Sequence, residues 1–436
     1  MKKIAIFIGA AALALSARAQ RTMTLAQCID YAVENNISVK RYANTVEQQR
    51  VQLSTARNSR LPDLSAGASQ SFNFGRGLNA SNNYVNRNTR STGLSLQTSV
   101  PLLTGGRIPG EIAVSRLNLE AAAADLEHAR QSLAVQVAAA YLQAVYAAEV
   151  VKANEAQVAL SKVQQERLEK LLAAGKGAES EVVQARSQVA TDEMNLTEAK
   201  GNLKLAMLDL TQLLEMPSPD NLQVVAPEGE ASAVLPPLPD EIFARAEGVK
   251  PEIQAEKLRL LSAEKNIGIA RAAYFPTLSL GAGLSSEYYK TSGFEASSFS
   301  KQMSDNFNRA ISLSLNIPIF NRLATRNAVR QARLQQSAQA LQLDETKKTL
   351  YKEIQQAYYN AVNAQAKFRS ATAARDAADA NFAMMRGKYE SGAANATELE
   401  EAKTRRINAM ISLLQAKYEY ILRMKIIAFY EGGSVG

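Results

Sequence analysis

The sequence predicts a mainly α chain with membrane β-strands, arranged as two tandem repeats of helix, strand pair, very long helix and shorter helix. Three observations predict this class. Two proline-free stretches are too long for a compact domain, four segments alternate apolar and small polar residues, and both patterns occur twice in the same order.

At the start, MKKIAIFIGAAALALSARAQ carries two lysines, an apolar run and the small-x-small site Ala17-Arg18-Ala19. This reads as a secretory signal peptide over 1–19, with the mature chain beginning at Gln20. The run is shorter than the roughly 20 residues of a spanning helix. Cys28 is the only cysteine; it lies well downstream of the run and reads as an apolar helix-face residue rather than a lipid attachment point or a disulfide partner. The 50 basic and 42 acidic residues give a formal charge of +8, which falls to +5 once Lys2, Lys3 and Arg18 are removed, and no long basic run remains. That balance argues against a nucleic-acid partner. Beyond the leader, no hydrophobic run reaches membrane-spanning helical length in the sequence.

The first repeat is expected over 20–214 and the second over 241–430. Ala56-Arg57 through Leu61-Pro62-Asp63-Leu64-Ser65-Ala66-Gly67-Ala68 matches Ala270-Arg271 through Phe275-Pro276-Thr277-Leu278-Ser279-Leu280-Gly281-Ala282. The strands LSLQTSVPLL and ISLSLNIPIF then align on Pro101 and Pro318, and Gly175 and Ala185 align with Gly392 and Ala402 at the same offset. Strands are expected over about 62–101 and 276–318, with helical hairpins over about 108–214 and 322–430. Between the repeats, 215–240 is a proline-interrupted connector in which Asn221 to Val225 suits a short strand. Residues 431–436 form a short tail.

From about Glu111 to Leu172, and from about Ala324 to Tyr389, the chain is dense in Ala, Leu, Gln, Glu, Lys and Arg and lacks proline. Good helix formers at about 1.5 Å rise per residue make rods on the order of 90–100 Å. Val137, Tyr141, Ala144 and Ala148 recur at spacings of four and three, giving each rod a packing stripe. Alone, such rods fit a coiled coil. The strands decide otherwise: Leu278, Leu280, Ala282 and Leu284 alternate with Ser279, Gly281, Gly283 and Ser285. An export signal plus roughly ten-residue alternating segments is the pattern of an outer-membrane barrel. Four strands cannot close one, because an open edge in hydrocarbon strands its backbone polar groups. Copies of the chain must share a barrel; two give eight strands and three give twelve.

With the duplicated order, the Pro-Leu-Ser strand entry and the glycine turns in place, nearly all of the mature chain resembles the TolC family of outer-membrane efflux and secretion channels. That resemblance implies a homotrimer with a twelve-stranded β-barrel in outer-membrane lipid on an α-helical barrel in the periplasm, and a connector in its equatorial region. It implies an exit duct of a tripartite efflux pump that docks on a periplasmic adaptor and an inner-membrane pump. The related alternative is the channel of a type I protein secretion system. From other classes, a periplasmic adaptor would have one hairpin flanked by lipoyl-like and β-barrel segments, and a structural coiled coil would lack amphipathic strand pairs.

The turns LLAAGKGAESEVVQA (171–185) and KYESGAANATELEEA (388–402) resemble the family's helix-tip motif. The resemblance makes Gly175, Gly177 and Gly392 the adaptor-docking turns and places Glu181, Gln184, Tyr389, Glu398 and Glu401 at a periplasmic gate. A basic residue expected two positions after the second glycine is Ala394, which departs from the family's latch. Independently of the family, Gly175 and Gly392 suit left-handed helix ends, and Asn395 with Glu398 suits a capping box. Tyr84, Tyr288, Tyr289, Phe294, Phe299 and Phe307 lie in or near the hairpin loops, suited either to loop packing or to the membrane interface. His128, the single histidine, stands on a helical surface without a metal-ligand partner and reads as solvated. No phosphate loop or nucleophile elbow appears, so neither enzyme activity nor a cofactor is expected.

Overall fold

The computed structural model describes residues 21–78, 81–219, 222–227 and 236–433. The expected leader, Asn221, much of the connector and the last tail residues lie outside the described residues. The chain is mostly helical. Its first half runs β1 (Arg21–Met23), α1 (Leu25–Asn35), α2 (Ile37–Asn58), β2 (Asp63–Asn73), β3 (Arg76–Leu78), β4 (Tyr84–Asn86), β5 (Thr89–Thr104), α3 (Arg107–Ala173) and α4 (Glu179–Leu213). After β6 (Leu222–Val224) come α5 (Pro239–Val249), α6 (Pro251–Ala272), β7 (Thr277–Thr291), α7 (Phe299–Asp305), β8 (Asn308–Asn316), α8 (Ala324–Glu390) and α9 (Ala396–Tyr430). Helices α1, α2, α3 and α4 hold 11, 22, 67 and 35 residues, as do α5, α6, α8 and α9.

Local chemistry fixes the helix ends. Thr24 and Gln27 form a capping box on α1: the Gln27 N–H donates to Thr24 Oγ1, and the Thr24 N–H donates to Gln27 Oε1 at 3.0 Å. Pro109 is tolerated in α3 because it sits in the first turn, where its missing N–H costs nothing. The breaks between α1 and α2 and between α5 and α6 fall on matched buried polar residues, Asn36 and Lys250. Asn36 Nδ2 donates to the carbonyl of Leu213 at 3.0 Å, and Lys250 Nζ donates to that of Phe429 at 3.0 Å. Each satisfies a carbonyl in the last turn of its half's closing helix, which has no partner within the helix.

Two compact units divide the chain, each drawn from both halves. The first comprises 1–44, 124–254 and 345–436; the second comprises 45–123 and 255–344. In the first, Val137, Ala138, Tyr141, Leu142, Ala144 and Val145 of α3 pack with Cys28, Ala32, Leu210 and Leu214. The parallel pair β1–β6 is tied into this core by Tyr141, whose hydroxyl lies 3.0 Å from the Met23 carbonyl and 2.7 Å from that of Val225 and accepts from the Val225 N–H at 3.0 Å. Contrary to the sequence expectation, α3 is long and apolar enough to cross a membrane by length and composition. It instead supplies much of this core, because alanines on one face let neighbouring helices approach closely.

In the second unit, β2, β5, β7 and β8 form one antiparallel sheet in that order. Directly paired residues share a face. Leu96 opposite Leu284, Leu280 opposite Leu313 and Ala282 opposite Ile311 therefore define an apolar face, while Ser99 opposite Gly281, Gln97 opposite Gly283 and Ser279 opposite Ser314 define a small, polar one. Edge strands β2 and β8 are exposed along their whole lengths. The matched prolines behave differently: Pro101 lies inside β5 at a register irregularity, whereas Pro318 lies beyond the end of β8. The hairpin ends differ as well, one carrying the short β3–β4 pair and the other α7. Tyr288 packs on Phe299 with ring centroids 5.2 Å apart, while Tyr84 and Phe294 stay exposed.

Candidate functional site

Both helix tips leave their long helix by the same turn. The N–H of Gly175 donates to the Leu172 carbonyl at 2.9 Å and that of Lys176 to Leu171 at 2.9 Å; Gly392 and Ala393 repeat this to Tyr389 at 3.1 Å and Lys388 at 2.8 Å. These are paired Schellman-type closures. They need a left-handed residue, and Gly175 and Gly392 have φ of +69° and +75°. Gly177 does not share that conformation; a Cβ there would meet Leu172 N at 3.1 Å, so close backbone approach selects glycine.

The sequence-predicted residues divide into three groups. Glu398 closes a capping box with Asn395: each backbone N–H donates to the other's side chain at 2.9 Å. Glu401 is exposed and accepts from Arg405 at 3.5 Å, and Gln184 is exposed one turn into α4. Glu181 and Tyr389 are both half-buried and come from different hairpins. Burial, and after it the negative charge of Glu181, push the Tyr389 hydroxyl above its ordinary range. Gln164 Nε2 of α3 donates to that hydroxyl at 3.5 Å. A cleft of about 280 Å³ opens beside it, bordered by Gln164, Arg167, Phe382, Tyr389 and Lys403. Ala394 contributes no charge, and the charged tie between the hairpins lies elsewhere.

It comes from Lys403, which sequence reasoning missed. Lys403 Nζ donates to Ser161 Oγ at 2.8 Å and lies 3.8 Å from Asp192 Oδ2 and 3.4 Å from Glu400 Oε2. Ser161 also bonds Asp192 directly, and Gln188 Nε2 donates to Asp192 Oδ1 at 2.9 Å. Lys403, Asp192 and Ser161 are all buried, so these charges are compensated by one another and by hydrogen bonds. The cluster joins α3 and α4 of the first hairpin to α9 of the second. In sequence, the run Glu400-Glu401-Ala402-Lys403 looks like a solvated charged face. Comparison of the repeats carries the missing signal. Arg186, matched to Lys403, pairs with Glu169 of its own hairpin at 2.9 Å. The position matched to Glu169 is Arg386, which leaves Lys403 without that acidic partner on α8.

His128 is not merely solvated: its Nδ1 lies 3.1 Å from Glu252 Oε2, and this bond raises its pKa above the ordinary imidazole value. Cys28 is wholly buried on α1, and burial pushes its thiol up to about 12. Among the described residues no group of three or more His, Cys, Asp or Glu side chains is placed to hold a metal ion.

Comparison with known proteins agrees with this geometry. The family profile described as "Outer membrane efflux protein" matches residues 28–215 and 244–425. The probable outer membrane lipoprotein SilC of Salmonella typhimurium is 25% identical over 408 residues, covering 90% of this chain and 82% of that protein. The outer membrane protein TolC of Escherichia coli K12 is 23% identical over 432 residues, covering 97% of this chain and 85% of that protein. Among solved structures, the open state of the MtrE outer membrane channel of Neisseria gonorrhoeae superposes with a TM-score of 0.75 at 22% identity, covering 94% of this chain and 89% of that one.

Proposed function

The chain belongs to the outer membrane efflux protein family, and from that premise we propose that three copies close a twelve-stranded barrel and act as the passive exit channel of a tripartite efflux pump. The observation that carries this reading is the sheet: one face apolar and exposed, and two edges, β2 and β8, that have no partner strand among the described residues. In hydrocarbon every backbone polar group needs an internal partner, so β8 of one copy pairs with β2 of the next. The β5–β7 pairing inside the chain supplies the register. Gln97 stands opposite Gly283, and the matched positions are Ser314 on β8 and Ser69 on β2 of the neighbouring copy. The polar face then lines the lumen and the apolar face meets lipid.

The chain places its helical tunnel in the periplasm. The tips around Gly175, Gly177 and Gly392 dock a periplasmic adaptor that links to an inner-membrane pump, where energy is supplied. Glu181, Gln184, Tyr389, Glu398 and Glu401 form the gate beside them. Glu181 and Tyr389 approach across the two hairpins, and Glu398 and Glu401 sit in adjacent turns of α9, so threefold symmetry multiplies their carboxylates around one axis. Capping and pore-lining are compatible roles for Glu398, since the backbone bond engages a carboxylate oxygen without removing its charge.

The test is reconstitution of the purified full chain. A detergent particle with the mass of three copies and discrete ion conductance in planar bilayers are the expected results. A monomer that forms no pore overturns the reading.

A further inference from the structure

The register sets the start of β2, the end of β5, the start of β7 and the end of β8 at one end of the sheet: Asp63 lies opposite Ser99, and Thr104 and Asn316 both lie opposite Thr277. All four strand–helix junctions therefore gather there. The flanking turns carry Arg57, Arg60, Arg107, Arg271, Arg322 and Arg326, every one exposed. Acidic residues there are few and already engaged: Asp63 Oδ1 accepts the Ser99 N–H at 2.7 Å, and Glu111 pairs with Arg107 at 2.9 Å. From Asn321 to Leu343 there is no Asp or Glu. Among the described residues, the side chains of Arg57, Arg60, Arg271, Arg322 and Arg326 have no ion-pair or hydrogen-bond partner.

A second observation marks the same place. Arg322 and Leu323 take φ of +56° and +63°, the left-handed region that side chains disfavour. The matched turn of the first half uses Gly105 and Gly106, at +60° and +88°. The turn itself thus calls for glycine, yet in the second half it holds an arginine and a leucine out at the junction against backbone strain. Such strain points to a function for the side chains concerned. Next to them Ile319 and Phe320 are 94% and 77% exposed.

We propose that this arginine collar binds the phosphate headgroups of anionic phospholipids in the leaflet facing the helices, while Ile319 and Phe320 enter the acyl boundary below it. The proposal rests on the preceding reading that the sheet's apolar face lies in a bilayer. Headgroup phosphates sit where a chain leaves hydrocarbon, guanidinium groups bind phosphate through two parallel hydrogen bonds, and unneutralised basic residues beside a membrane select anionic lipid. Exposed isoleucine and phenylalanine at the same junction favour a lipid occupant over an acidic protein surface, which would not need them.

The chain contains no tryptophan, so Phe320→Trp gives a single local reporter. The full chain carrying it is reconstituted in phosphatidylcholine bilayers containing either brominated phosphatidylglycerol or brominated phosphatidylcholine, and fluorescence quenching is titrated. The expected result is at least about threefold stronger apparent binding of the phosphatidylglycerol. Adding Arg322→Gly with Arg326→Gln, the arginines on the reporter's own junction, should lower that preference. Arg322→Gly relaxes the turn, and retained conductance verifies the fold. A preference unchanged by the two substitutions, or equal quenching by the two lipids in the parent, overturns the collar. Absence of quenching by either lipid in a conducting channel overturns the membrane placement beneath it.

Discussion

Lys403 of α9 donates a 2.8 Å hydrogen bond to Ser161 of α3, and both side chains are buried. The bond spans the two hairpins of one chain and draws in Asp192 of α4. Removing the cation leaves a buried carboxylate without its counter-charge, which costs roughly 3 kcal/mol. Lys403→Met should therefore lower the thermal unfolding midpoint of the purified channel. Adding Asp192→Leu should recover much of the loss, because neither charge then remains buried alone. An unchanged midpoint in Lys403→Met would contradict the structural role assigned to this tie.

Glu398 serves two roles that substitutions can separate. Glutamine keeps the capping-box hydrogen bond but removes the charge, whereas alanine removes both and costs about 1 kcal/mol. Glu398→Gln with Glu401→Gln should reduce cation preference, read from reversal potentials in planar bilayers, with little change in thermal stability. Glu398→Ala with Glu401→Ala should reduce both. Unaltered ion selectivity in either pair removes the carboxylates from the pore lining.

The turn glycines predict opposite signs at different positions. Gly175→Ala and Gly392→Ala force a side chain into left-handed backbone and should each destabilise by about 1–2 kcal/mol, although no atom crowds either site. Gly201 lies inside α4 with open space around it, and Gly201→Ala should stabilise by roughly 0.5–1 kcal/mol. Unfolding midpoints of the three variants, measured together, check the ordering.

Lys250 imposes a pH dependence. Burial lowers its pKa to about 8, against the partly opposing charges of Glu252 and Glu353, while its ammonium lies 3.2 Å from the Phe429 ring centroid. Below about 8 the lysine is protonated in both the folded and unfolded states, and the burial penalty is fully present. Between about 8 and its ordinary value near 10.5 the unfolded chain binds more protons than the folded one, so stability rises with pH across that window. The difference in thermal midpoint between the parent and Lys250→Met should show this rise, because the other groups that titrate there, Lys425 and Cys28, are common to both proteins. A flat difference between the two proteins would contradict it.

Much of this architecture was legible in the sequence because its signals are local and occur twice. The proline-free rods, the turn glycines and the alternating strands each match an element, and the Asn395–Glu398 box has its expected bonds. Less was legible where one repeat departs from the other. Pro101 and Pro318 look equivalent, yet a register irregularity keeps the first inside its strand, while the second chain segment has already left the sheet. The apolar stretch of α3 does not read as a continuous hydrophobic run because its hydrophobicity is spread over alanines and interrupted by single polar residues. His128 and Lys403 find partners 124 and 242 residues away in sequence, distances over which no helical periodicity operates.

Closure of the barrel by neighbouring copies is open to a direct chemical measurement. Strands β2 and β8 are opposite edges of a four-stranded sheet, separated by roughly 14 Å at about 4.8 Å per strand. A disulfide needs Cα atoms within about 7 Å. Cysteines at Ser69 and Ser314, in a Cys28→Ala background, therefore cannot pair within one copy. Oxidation of outer membranes from cells expressing this variant should give covalent dimers and trimers on non-reducing gels, collapsing to monomer with reductant. Monomer alone after complete oxidation, in protein shown to conduct, would contradict the shared barrel.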